Sequence, residues 1–330
     1  MNHKLLFSLC LFAALFFTAC EEDDIIFTDE NRTFGIRHDK SLAEYEALVS
    51  NSSKDLPDFS AVFSFQYSLD GSDNQEFTAT GTLIDEEWIL TAGHNFFVAE
   101  EQDNPAPVQG ITVLVGNDSN NPEATLEVEE LVFHPTWIAQ DDFFNGNDLC
   151  LVKLKTPIQD ITPMSLFTSN NEVIGSKVWF CGFGDYTKLE DQNPDLLSKK
   201  HAIENALDRK NEGIATTING TTYEGGLLAF DFDNPAGTIN TLGDDIINEE
   251  ESLLGNGDSE EGALEFEGTT VQGDSGGPLF IKDGNTWKLV GVLSGGVSDP
   301  LEEHEDGNYG DISIFVRVSQ QLNWIRSVVQ

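Results

Sequence analysis

The chain has 330 residues and carries 58 acids against 17 bases, a formal net charge of −41. That balance excludes nucleic acid as a partner, because phosphate binding needs clustered Lys and Arg. Hydrophobic residues at 39%, with 23 Phe and 29 Gly, set the chain apart from acidic disordered sequences and suit a turn-rich β protein with a solvated acidic surface.

From the start of the chain, Lys4 precedes the apolar stretch Leu5–Phe17, which fits a signal-peptide core and is too short to span a bilayer as a helix. Phe17-Thr18-Ala19-Cys20 follows and resembles a bacterial lipoprotein signal. The resemblance implies removal of residues 1–19, lipidation of Cys20 and export to the cell envelope. The protein would be membrane-anchored there, facing the periplasm or the cell surface. Ordinary cleavage that leaves Cys20 as a plain thiol is the alternative. Residues 20–57 read as an acidic tether, Glu21-Glu22-Asp23-Asp24 onward, and a short helix. Leu42, Tyr45, Leu48 and Val49 follow helical spacing there, with Ser41 and Glu44 as a capping box.

Residues 58–168 carry short apolar or alternating runs between turn signals: 59–67, 77–84, 88–91, 111–115, 125–133 and 149–154. Such a series predicts a closed antiparallel barrel and not a βαβ fold. A second set follows in 169–330, at 176–184, 201–205, 227–232, 287–296 and 312–318, and a terminal helix capped by Ser319 closes the chain. Within it, 231–267 is rich in acids and has no Lys or Arg. It reads as a solvated insertion, the other reading being a calcium-binding or substrate-facing loop, although no calcium-loop spacing appears. Cys150 and Cys181 lie in apolar runs and read as buried thiols, with a bridge between them open in an oxidising compartment.

The chemistry concentrates at Gly273-Asp274-Ser275-Gly276-Gly277-Pro278. Flanking glycines free the backbone to aim the N–H groups of Gly273 and Ser275 at one point, where an oxyanion could sit. A serine there needs a base and something to orient the base. The elbow motif of α/β-hydrolases is formally satisfied, but that fold places the histidine after the serine, and only His304 follows, in an acidic loop. Upstream, Thr91-Ala92-Gly93-His94 ends an apolar run and Asn147-Asp148 opens another. Gly257-Asp258-Ser259 lacks the following glycines and proline and is set aside as a decoy.

Together these motifs, in the order His, Asp, Ser, resemble those of the chymotrypsin/trypsin family of serine proteases, over about residues 58–330. The resemblance implies an all-β fold of two antiparallel barrels with a short C-terminal helix. It also implies a serine endopeptidase without a cofactor or metal, acting as a monomer on protein or peptide substrates. His94 would be the general base, Asp148 its orienter and Ser275 the nucleophile. Ser294 would bond near Asp148, Ser294-Gly295-Gly296 would pair with substrate backbone, and Thr269 with Ser313 would line the side-chain pocket. Thr269 offers no charge, so cleavage after uncharged, mainly apolar residues is expected unless Asp311 turns inward. Asn95 stands where animal members carry a disulfide cysteine. No Ile-Val-Gly-Gly start exists to pair with Asp274, which leaves internal donors as the expected partners and processing at an unconventional site as the alternative. A surface binding module that kept the fold without turnover is the competing function, and an esterase on a more helical fold a third.

Overall fold

The first sheet is built from short strands rich in buried apolar residues. In this computed structural model, which describes residues 35–99, 101–140, 142–186, 199–211, 214–243, 249, 251–259, 262–297 and 307–329, six strands make it a barrel. They are β1 (Val62–Tyr67), β2 (Phe77–Asp85), β3 (Trp88–Thr91), β4 (Ile111–Val115), β5 (Ala124–Phe133) and β6 (Cys150–Leu154), closed in the order β1-β2-β3-β6-β5-β4. Phe65 packs over Gly81 of β2, where a Cβ would sit 2.6 Å from its ring. The signal stretch 1–19, Cys20 and the tether up to residue 34 lie outside the described residues.

One register matters for the chemistry. In the β3–β6 pair Thr91 stands opposite Cys150. His94 and Asp148 therefore leave the same end of that pair, three residues after one strand and two before the other.

The second half contains β7 (Lys177–Gly182), β8 (His201–Ala206), β9 (Arg209–Lys210), the hairpin β10 (Ala215–Ile218) and β11 (Thr221–Glu224), β12 (Leu227–Asp231), β13 (Asn256–Gly257), β14 (Pro278–Asp283), β15 (Thr286–Val297) and β16 (Ile312–Arg317). Eight of them form one antiparallel sheet, β13-β9-β12-β16-β15-β14-β7-β8. The expected second barrel is thus a curled half-barrel, because the chain at 264–268 wedges between β8 and β12. Glu204 N–H donates to Phe266 O at 2.9 Å, and the Asn205 amide reaches Asp231 O at 2.7 Å and Gly268 O at 3.3 Å. Side chains and one isolated bridge, Glu204 to Glu267, complete the closure that a strand ladder would have made.

Among the described residues three α-helices complete the fold: α1 (Leu42–Val49), α2 (Pro135–Gln140) and α3 (Val318–Val328). At α1 the Glu44 carboxylate accepts both the N–H and the hydroxyl of Ser41, each at 2.9 Å. Ser319 does not cap α3: β16 runs straight into the helix, Arg317 takes the cap position, and the Ser319 hydroxyl donates to Glu172 at 2.6 Å. Glu172 is itself buried against Arg317 at 2.5 Å, and such a desolvated carboxylate draws every donor in reach.

The acidic insertion is less solvated than its composition implies. Asp231, Asp233, Glu251 and Glu267 are buried. Asp231 accepts the Leu242 N–H at 2.8 Å, and Glu267 accepts the N–H groups of Asp233, at 2.7 Å, and Leu264. These carboxylates organise the backbone of the loop.

Candidate active site

His94 follows β3 after Ala92 and Gly93, and the turn needs that glycine, since a Cβ on it would meet Trp137 at 2.6 Å. The Trp137 indole is held in turn by Phe97 O at 2.9 Å. Asp148, fully buried before β6, accepts the His94 backbone N–H on Oδ1 at 2.8 Å and faces the ring Nδ1 with Oδ2 at 2.6 Å. Ser294 of β15 donates its hydroxyl to the same Oδ2 at 2.7 Å. Binding Nδ1–H this way fixes the tautomer and leaves Nε2 as the lone pair facing outward. On the open side Phe143 packs near the imidazole, with ring centroids 5.5 Å apart.

Ser275 lies in the loop before β14, half-buried. Its carbonyl is gripped from the first barrel by the Thr80 N–H at 2.9 Å and the Asn95 amide at 3.1 Å. Asn95 also donates to Thr91 Oγ1 at 3.1 Å, and Thr80 donates its hydroxyl to Gly273 O at 3.0 Å. The Asn95 amide thus ties the residue after His94 to the serine loop. Gly276, at φ +83°, has to be glycine because a Cβ would land on Thr91 Oγ1 and Thr80 O.

Within the loop the N–H groups of Asp274, Gly276 and Gly277 are taken by Val271 O, Leu293 O and Asp274 O. Among the described residues, those of Gly273 and Ser275 have no acceptor. The Ser275 hydroxyl likewise makes no hydrogen bond with His94. Without substrate, catalytic hydrogen bonds are often long or poorly aligned and tighten only in the reacting complex.

The pocket residues gather beyond the serine. Thr269 and Thr270 hydroxyls each lie 2.9 Å from Ser313 Oγ, and Ser313 also accepts the Thr270 N–H at 3.1 Å. Gly296 of β15 stands opposite Ser313, and among the described residues no atom lies within 4 Å of where a Cβ on Gly295 would be. The Asp311 carboxylate accepts the Gly307 N–H at 2.6 Å and is buried. Beyond Val292 the β14 pairing stops while β16 pairing continues to Val297, so one edge of 294–297 has no strand partner among the described residues. Ser259, the decoy, donates to Asp231 at 3.2 Å, and His304 lies outside the described residues. Cys150 and Cys181 are buried and unbridged. No group of three or more His, Cys, Asp or Glu among the described residues is arranged to hold a metal ion.

Several residues that build the site were not legible as such. Asp274 accepts the Gly184 N–H at 2.8 Å, the Val271 N–H at 3.1 Å and the Tyr186 hydroxyl at 2.9 Å, so its partners are internal. Gln321 of α3 donates to Gly146 O, Asn147 Oδ1 and Glu224 O at 2.8–2.9 Å, bracing the loop that carries Asp148. Internal donors for Asp274 were expected without their identity, and nothing in the local sequence hinted at Tyr186 or Gln321.

The chain belongs to the trypsin family: the model described as Trypsin matches residues 58–228 and 239–325. It is similar to Transmembrane protease serine 11G of Rattus norvegicus, 27% identical over 251 residues that cover 74% of this chain and 48% of the relative. The Mus musculus protein of the same name is 26% identical over 251 residues, with the same coverage. A Snake venom serine protease homolog of Bothrops jararacussu is 28% identical over 283 residues, 80% of this chain and 82% of the relative. The chain spans about half the length of the two transmembrane proteases. No described helix is long and apolar enough to cross a membrane.

Proposed function

We propose that this chain is a serine endopeptidase that works through an acyl-enzyme on Ser275, with His94 as general base and then acid, and Asp148 as its orienter. The observation that carries the reading is the His94–Asp148 corner, where one buried carboxylate binds both the main chain and the ring of a single histidine. A charge so desolvated is favoured only with a partner, and it stabilises a proton arriving on that ring.

In the proposed reaction Ser275 Oγ attacks the scissile carbonyl carbon while its proton passes to His94 Nε2. The carbonyl oxygen takes up the negative charge and accepts from the Gly273 and Ser275 N–H groups, whose lack of internal acceptors supports this role. Loss of one such donor typically costs about 3–4 kcal/mol of barrier. Collapse of the intermediate breaks the C–N bond and the leaving amine takes the proton from His94. Water then repeats the sequence on the ester, releasing the acid and restoring the Ser275 hydroxyl. Nothing in this chemistry calls for a cofactor.

The free edge at Ser294, Gly295 and Gly296 suits an extended peptide added as a strand. The side chain before the scissile bond would enter between Gly296, Thr269 and Ser313. That floor offers neutral hydroxyls already bonded to one another, and Asp311 is engaged by Gly307. A buried Arg or Lys of a substrate would lack a carboxylate there, so uncharged, mainly apolar residues are the expected choice. Export and anchoring through Cys20 belong to the same reading and rest on the apolar stretch before that cysteine.

The test is a fluorophosphonate probe together with a peptide library. Labelling should fall on Ser275 and vanish in Ser275→Ala and His94→Ala, and cleavage should follow uncharged residues. A chain that binds peptides but takes no label and turns nothing over is a binding module, and the protease reading fails.

A further inference from the structure

Asp274 separates the two residues whose N–H groups have no internal acceptor, yet its side chain turns away from the cleft. The carboxyl enters a closed pocket between β7, β8 and the serine loop and is fully buried. The pocket exists because two glycines make room for it. A Cβ on Gly182 would land on Asp274 Oδ1, and one on Gly184 would come within 2.5 Å of its Cγ. Besides two backbone N–H groups, the pocket contains two side chains that the proposed reaction does not use. The Tyr186 hydroxyl lies 2.9 Å from Asp274 Oδ2 and 3.3 Å from Thr269 O. The Tyr186 ring packs edge-on against the His201 imidazole, centroids 3.7 Å apart.

His201 is buried and faces Lys199 O with Nδ1 at 3.2 Å, which makes that nitrogen the donor. Its Nε2 then carries the lone pair, has no hydrogen-bond partner among the described residues, and lies 3.7 Å from Asp274 Oδ1. Gly35 and Ile36 seal this pocket. Gly35 lies over the Tyr186 ring, where a Cβ would be 2.5 Å from the ring edge, while its carbonyl accepts the Thr269 N–H at 2.8 Å and Ile36 bridges Gly268.

Neither carboxyl oxygen faces a cation. Burial pushes Asp274 up to about 7 and His201 down to about 3, and it pushes the thiol of Cys181 and the phenol of Tyr186 up. Tyr45 of α1 and Lys200 stand one layer further out, felt by Tyr186 and Cys181 respectively. The Asp274 carboxyl therefore loses its charge only as pH falls below about 7, and the pocket's hold on it is made of hydrogen bonds and close packing.

We propose that Tyr186 and His201 are positioning residues that fill the pocket behind the nucleophile and hold Asp274, so that the Gly273 and Ser275 N–H groups stay aimed at one point without a freshly cut amino terminus. The inference rests on the protease reading for its catalytic consequence, but its structural content can be measured without turnover. Tyr186→Phe and His201→Gln are compared with the parent, and Tyr67→Phe, in the core of the first barrel, is the control. Two readouts are used: kcat and KM on a peptide substrate, and amide hydrogen exchange of the fragment spanning Val271–Gly277.

Tyr186→Phe should lower kcat about 10- to 100-fold with KM within about threefold, because the aim of the oxyanion donors acts in the transition state. Exchange in the fragment should speed at least tenfold, with both readouts unchanged in Tyr67→Phe. His201→Gln should show the same pattern more weakly. Unaltered kcat and exchange in both pocket variants would overturn the proposal. So would activity that appears only after cleavage at a site between residues 33 and 60. If the parent turns over no peptide or ester while exchange still quickens in Tyr186→Phe, the loop-holding role stands and the protease reading is what fails.

Discussion

Two buried aspartates flank the serine loop, and the pockets built for them differ in kind. Asp148 sits at the end of the closed barrel and faces a histidine ring, a backbone N–H and one hydroxyl, so one of its partners can become a cation. Asp274 sits in the curled half-barrel and faces two backbone N–H groups and a phenol, with a neutral imidazole beyond bonding distance. A carboxylate that has to stabilise a travelling proton needs an ionisable partner at contact. A carboxyl that only fixes a backbone turn does better with neutral donors and a tight wall. On the proposed mechanism, the contrast separates chemistry from scaffolding around Ser275.

The largest effect should come from breaking the first pocket. Asp148→Asn keeps the shape and loses the charge, presenting an amide to Nδ1 and favouring the wrong tautomer. By analogy with the triad template, kcat should fall about ten-thousandfold with the fold intact. A variant that kept a tenth of its activity on the same peptide would remove Asp148 from the mechanism.

Asp274→Asn makes the matching change in the second pocket and should cost less, about 10- to 100-fold in kcat/KM, since one amide N–H must now face a backbone donor. Its pH dependence sharpens the comparison. Burial raises the Asp274 carboxyl from 3.8 to about 7, so the folded state holds its proton more tightly than the unfolded chain. The stability this contributes is complete below about pH 4 and is lost as pH rises through 7. Buried His134 and His201, each lowered to about 3, run the other way and lose their contribution as pH falls below 6.5. The difference in unfolding free energy between parent and Asp274→Asn cancels those histidines and should shrink from pH 4 to 7. A difference that grew over that window would mean that Asp274 is held as an anion.

What could be read in advance follows the same division. The Asp148 corner was legible because each part sits in a local signature: a glycine before His94, an asparagine and apolar run around Asp148, glycines about Ser275. Strand register then only had to bring 91 opposite 150. The Asp274 pocket was legible in one respect, the expectation of internal donors. Tyr186 and His201 reach Asp274 from 88 and 73 residues away in sequence, and no local pattern marks a tyrosine whose partner is that remote. The hairpin at 215–224 was different. Its signal, Asn219-Gly220 with φ of 50° and 83°, lay in plain sight between two β-prone runs. That the second barrel closes through the chain at 264–268 and not through a strand ladder was not foreseeable, because it depends on where the acidic segment threads after its buried carboxylates find backbone N–H groups.

The smallest expected effect tests whether the serine loop is held equally from both sides. From the first barrel, the Asn95 amide donates to Ser275 O and to Thr91 Oγ1, each at 3.1 Å. Asn95→Ala removes both bonds, but neither acceptor is stranded. Ser275 O keeps the Thr80 N–H at 2.9 Å, and Thr91 still donates to Thr80 O at 2.7 Å. A net loss near 1 kcal/mol follows, about the value of one ordinary hydrogen bond, which corresponds to roughly a threefold to tenfold drop in kcat/KM. Behind the loop the Asp274 carboxyl is fully buried, and the Gly184 N–H on Oδ1 has no second acceptor among the described residues. Asn95→Ala should therefore be milder than Asp274→Asn at every pH. If Asn95→Ala instead cost a hundredfold or more on the same peptide, with its melting temperature unchanged, the amide beside the general base would be the principal anchor of Ser275. The half-barrel pocket would then be the secondary one.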